Sequence, residues 1–134
     1  MNLRARAAAN IFGRMKIPFQ AMVDQISNYA IVVLDAKGIV QSWNAGARAI
    51  TGYTDGEALG RPLSSFLHED LVEKARRAGR ASMQCWLKQK NGKALWTTNV
   101  VQTLTADRGA TSLCWIARYI GSDDVEPVFA IQSR

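Results

Sequence analysis

The run from Tyr29 to Tyr53, YAIVVLDAKGIVQSWNAGARAITGY, constrains the fold more than any other stretch of the chain. Tyr29 to Leu34 is apolar and β-branched, the composition of a buried strand. Asp35-Ala36-Lys37-Gly38 reads as a tight turn, and Ile39 to Trp43 as a second short strand. Asn44 then opens a helix, because its side-chain oxygen can accept from the free amides of the first turn. Gly52 closes that helix by supplying the left-handed residue often needed after a last turn.

A chain of 134 residues has room for one domain with one core and a short appendage. Apolar residues make up 48% of it, which is enough for a packed interior. The two cysteines, Cys85 and Cys114, lie inside strand-like runs and share no short-spacing motif, so buried thiols are expected. No apolar stretch approaches the roughly 20 residues that cross a bilayer, and no secretory signal is recognisable. A cytoplasmic protein follows.

Residues 1–27 read as an N-terminal helical extension. Ala5, Ala8, Phe12, Met15, Phe19, Met22 and Ile26 recur at alternating spacings of three and four, the seam along which helices pair. Pro18 interrupts the stripe, so two pieces are expected, Leu3 to Lys16 and Pro18 to Ser27. Phe12, Met15, Phe19, Met22 and Ile26 are the candidate dimerisation residues. A helix folded back over its own sheet would hide the same stripe, and pattern alone leaves both readings open. An interfacial membrane helix is a weaker reading, because the apolar face starts Ala-rich.

Beyond Gly52, Thr54 and Glu57 form a capping-box pattern for a one-turn helix. Leu63 to Leu67 makes another short turn. Glu69 and Asp70 precede a helix over Leu71 to Ala78, with Gly79 as its stop. Strands are then predicted over Met83 to Lys88, Ala94 to Leu104 and Leu113 to Ile120. They are joined by turns at Asn91-Gly92 and Asp107-Arg108-Gly109. The class is α+β: a five-stranded antiparallel sheet with short helices on one face. The extension is residues 1–27, the core domain 28–121 and a tail 122–134.

The Tyr29 to Tyr53 run, Gly60-Arg61-Pro62, and Lys90-Asn91-Gly92-Lys93 with Trp96 come in the order of a PAS domain. The resemblance is to bacterial sensors of the S-box type, and Tyr29 to Ile120 resembles the full core of that family. It implies a sensory or interaction module with a pocket between helices and sheet. Val33, Trp43, Ile50, Leu67, Val100 and Trp115 are the candidate pocket residues. Blue-light members of the family carry a flavin-reactive cysteine where Leu63 stands here, so a thiol photosensor is excluded. Non-covalent flavin would draw on the tryptophans and Asn99. A haem would have to use His68, the single histidine, whose acidic neighbours Glu69 and Asp70 argue for an exposed helix start. No resident cofactor and no metal are expected, while an unidentified small ligand is kept open.

No nucleophile elbow, phosphate loop or acid–base constellation is recognisable, so the chain is not expected to be an enzyme. Its net charge is +6, and Lys74, Arg76, Arg77, Arg80, Lys88, Lys90 and Lys93 follow one another without an intervening acid. Such a run is a solvated face, or a surface for an acidic protein or anionic ligand. Nucleic acid is not expected, because no binding motif accompanies the charge. The favoured function is a non-catalytic signalling module that senses a small ligand and acts through its N-terminal helices in a homodimer. The alternative is a ligand-free dimerisation scaffold, and a haem- or flavin-based redox or gas sensor ranks below both. Asp123 to Arg134 holds Pro127 and no heptad, so output through a C-terminal helix is not expected. The protein then acts in trans or belongs to a longer chain.

Overall fold

A computed structural model describes residues 19–105 and 111–120. Helix α1 (Phe19–Gln25) leads into strand β1 (Ala30–Leu34), helix α2 (Ala45–Thr51) and helix α3 (Asp55–Ala58). A 3-10 turn at Leu63–Ser65 and helix α4 (Leu71–Ala78) follow. Strands β2 (Arg80–Lys88), β3 (Ala94–Thr105) and β4 (Thr111–Tyr119) complete the sheet. The expected Leu3 to Lys16 helix, with Phe12 and Met15, lies outside the described residues. So do the Asp107-Arg108-Gly109 turn and the tail 122–134.

All strand pairs are antiparallel, in the order β1-β4-β3-β2. The sheet has four strands, not the expected five. Ile39 and Val40 make only isolated bridges, to Pro62 and Leu34. The reason is visible along β1. Val33 N donates to Ser42 Oγ at 2.9 Å, and Ile31 N donates to Asn44 Oδ1 at 2.9 Å. Two side chains thus take the place of the carbonyls that a fifth strand would offer. Short polar side chains compete with a ladder in this way.

Local chemistry sets the helix ends. Asn44 Oδ1 accepts from Ala47 N at 3.0 Å, and Gly52, at φ 81°, turns the chain out of α2. Thr54 and Glu57 form the expected capping box on α3. Asp70 caps α4, where Leu71 and Ala75 recur one turn apart and are buried while Lys74 and Arg77 face out. Strand β2 starts at Arg80, directly after Gly79, whose carbonyl accepts from both Thr103 N and Thr103 Oγ1.

Period-two alternation gives the sheet two different faces. Ala30, Val32 and Leu34 of β1 share the inner face with Leu113, Trp115 and Ala117 of β4. Thr97, Asn99 and Val101 of β3 join them, with Cys85 and Leu87 of β2. The helices cover this face, and Phe66, Leu63, Leu71 and Trp43 close the core. No helix among the described residues is long and apolar enough to cross a membrane.

Candidate functional site

Asn44 does more than begin α2. Its Oδ1 holds Ile31 N of β1 and Ala47 N of α2. Its Nδ2 donates to the carbonyls of Val23, Ile26 and Tyr29 at 3.1, 3.1 and 3.0 Å. An amide has only two hydrogens, so one is shared between acceptors. One fully buried side chain therefore ties α1, the 26–29 link, β1 and α2 together. Gly46 reinforces the junction: its N–H donates to Ile26 O at 2.8 Å. A Cβ at this position would lie 1.8 Å from Tyr29 O, so only glycine allows the two backbones to meet.

Trp43 precedes this latch and faces the core. Its ring lies 5.0 Å from Phe66 and 6.2 Å from Trp115, and its Nε1 donates to Tyr53 O at 3.0 Å. Trp115 Nε1 donates to Asn99 Oδ1 at 2.9 Å. The Asn99 amide donates in turn to Thr97 Oγ1 at 2.9 Å, and Thr97 Oγ1 donates to Cys85 O at 2.9 Å. The buried polar groups at this centre satisfy one another, as burial requires. In this arrangement the Asn99 amide is engaged at both ends, by Trp115 at its oxygen and by Thr97 at its nitrogen.

Of the candidate pocket residues, the fold brings together Trp43, Ile50, Leu67 and Trp115 in the core. It does not bring in Val33 or Val100. Both stand on the outer face of the sheet, because each is one residue out of phase with a core neighbour, Val32 or Val101. Val33 is 41% exposed, in company with exposed Ile116 and Trp86. Trp86 and Trp96 stack edge to face across the strands at 4.9 Å on that side. Of the candidate dimerisation residues, Phe19 and Met22 are exposed and Ile26 is half-buried. Sequence reasoning missed Phe66, Ser42 and the reach of Asn44. A glycine inside a short helix, Gly46, was the available signal of a close approach.

His68 is exposed, outside the aromatic core. It borders a surface cleft of about 460 Å³ with Lys37, Lys88, Arg76, Glu69, Asp70 and Glu73. A haem at His68 would thus lie on mixed-charge surface instead of in an apolar pocket. Among the described residues no three His, Cys, Asp or Glu side chains come together as a metal would need. Burial pushes the Cys85 thiol up to about 11, away from the thiolate form, and raises Cys114 in the same way.

The basic run divides in two. Arg76 and Arg77 pair with Glu73, and their hydrogen bonds hold its carboxyl below the usual range, Arg76 first. Lys90 pairs with Glu57, joining the β2–β3 turn to α3. Lys74, Arg80 and Lys93 are exposed and form no ion pair among the described residues.

Short helices on one face of an antiparallel sheet, closing over a hydrogen-bonded core, define a small α+β domain. The chain belongs to the PAS family: the family described as "PAS fold" matches residues 19–120. Two-component system protein A of Emericella nidulans is 31% identical over 109 residues, 75% of this chain. The chain spans 16% of that protein's length. Among solved structures, the PAS domain of a protein from Colwellia psychrerythraea has a TM-score of 0.66 at 20% identity, covering 75% of this chain and 93% of that one. A light-oxygen-voltage domain, solved in a study of a flavin analogue, has a TM-score of 0.64 at 17% identity, covering 85% and 93%. Such distant structures establish the fold alone. The chain is a PAS domain.

Proposed function

We propose that this PAS domain is a non-catalytic module that carries a signal from its core to a dimer through its N-terminal helix. The observation that supports this is Asn44, which fastens α1 to β1 and α2 beside the core residue Trp43. Anything that repacks Trp43 against Phe66 and Trp115 acts on the neighbouring residue that holds α1. A small ligand would do so only by binding one arrangement of α1 better than the other. The basic flank of Lys74 and Arg80 is a second surface, suited to an acidic partner. The test is sedimentation of Phe12→Glu and Phe19→Glu variants. Monomers are expected, and unchanged dimers would remove the apolar stripe of residues 1–27 from the interface.

The second reading is a ligand-free dimerisation scaffold. The mutual hydrogen bonding of Asn99, Thr97 and Trp115 favours it, since no orphaned polar atom there calls for a ligand. The exposed Val33, Ile116 and Trp86 supply an apolar surface on the outer sheet face. Native mass spectrometry of untreated protein separates the two readings. A retained small molecule selects the sensor, and bare protein that dimerises selects the scaffold.

A further inference from the structure

The two edges of the sheet are finished differently. Along β1, Ser42 Oγ, Asn44 Oδ1 and the backbone of Ile39 to Gln41 meet the outward groups of the strand. At the other edge, the described residues cover β2 only at its far end, where His68 N donates to Trp86 O and Lys88 N donates to Phe66 O. These two bonds set the phase: even-numbered residues of β2 direct their N–H and C=O away from β3. The register from Arg80↔Gln102 to Lys88↔Ala94 is unbroken, so Ser82 and Gln84 have the same phase. β2 is the last strand in the order, and among the described residues no isolated bridge reaches Ser82 or Gln84.

We propose that the open edge of β2 at Ser82 and Gln84 receives an extended acidic peptide as an added antiparallel or parallel strand. Main-chain hydrogen bonds provide the affinity in such additions, and flanking side chains the selection. Here the flank is cationic. Arg80 shares the outer face with Ser82 and Gln84, and Lys74 projects from α4, which packs on β2. After burial, the charges of Glu69 and then Lys74 act on the Cys85 thiol, so one acid borders the strand beside this cation. Both cations are exposed and outside the ion pairs that occupy Arg76, Arg77 and Lys90. Charges at a bare edge also discourage a second copy of the same chain from pairing there. The inference rests on the basic flank named above as a partner surface, and it is independent of dimerisation through α1.

The test is fluorescence anisotropy with the full chain and a labelled short peptide of alternating valine and glutamate. Binding that weakens with salt is expected. A matching valine–lysine peptide should not bind. N-methylation of the peptide residues that face the edge should weaken binding about tenfold for each hydrogen bond removed, and methylation in the opposite phase should not. Gln84→Pro, a substitution tolerated at an edge, should have the same effect as edge-facing methylation. Lys74→Glu with Arg80→Glu should reverse the charge preference. Absence of binding to the glutamate peptide would overturn the proposal, as would indifference to the phase of methylation. Self-association of the chain abolished by Gln84→Pro would also overturn it, by identifying a second copy as the occupant. Dimers that persist in the Phe19→Glu variant bear on α1 alone.

Discussion

Trp115 and Asn99 meet at 2.9 Å through an indole N–H and an amide oxygen, both wholly buried on adjacent strands. The pair makes the core specific as well as apolar. Asn99→Leu would strand the indole donor in an apolar interior, at a cost of about 2 kcal/mol. Trp115→Phe alone opens a void as well as losing the bond. The double variant should recover part of the summed loss, because neither partner is then left unsatisfied. Urea unfolding of the four proteins in the cycle measures the coupling. Strict additivity would mean that the bond contributes nothing.

Asn44 acts through both halves of its amide, and the halves can be separated. Asn44→Ala removes the α2 cap and leaves backbone groups of β1 and α1 unpaired, an expected loss of about 3 kcal/mol. Asn44→Asp keeps the acceptors for Ile31 and Ala47 but sets a carboxylate against the Val23, Ile26 and Tyr29 carbonyls. Hydrogen exchange should then rise across residues 19–29 while α2 stays protected. Equal exchange in wild type and Asn44→Asp would show that the amide does not hold α1.

Gly46→Ala tests the same junction from the backbone. The new methyl would meet Tyr29 O, so α2 must move away from the 26–29 link. Alanine is the better helix former, and propensity alone predicts a gain of about 1 kcal/mol. Packing should win, giving a net loss of about 2 kcal/mol in thermal or denaturant unfolding.

The Glu57–Lys90 pair gives the fold an acid-sensitive tie. Hydrogen bonds from Lys90, then from the Thr54 backbone, lower the Glu57 carboxyl from 4.5 to about 2. A depressed carboxyl stabilises the folded state above its ordinary value, and that contribution is lost as pH falls through the folded one. The thermal midpoint should therefore drop between about pH 4.5 and 2. The side chains are solvent-accessible, so salt should weaken the effect. Glu57→Gln should flatten this part of the pH profile, and an unaltered profile would assign it to other carboxylates.

Much of the fold was legible in local chemistry. The caps at Asn44 and Thr54, the acidic start of the Leu71 to Ala78 helix, the stops at Gly52 and Gly79, and the last three strands follow from neighbours within a few residues of each other. The Ile39 to Trp43 strand was misread because its residues suit a strand, yet Ser42 and Asn44 spend their side chains on β1 across the turn. Val33 and Val100 were misplaced for a related reason. Hydrophobicity identifies a strand that both faces could accept, and only the register decides which face looks inward.

By itself the sequence determined the α+β order of elements, because capping, turn chemistry and β-branched runs act over short separations. It also determined that Leu63 leaves no thiol at that turn. Only the tertiary structure decided that Asn44 would gather carbonyls lying 15 to 21 residues away and that Asn99 would be consumed by Trp115. It also decided that β1 would have a finished edge while β2, among the described residues, kept an open one. These outcomes depend on contacts distant in sequence, and a hydrogen-bonding side chain carries no mark of the backbone it will meet.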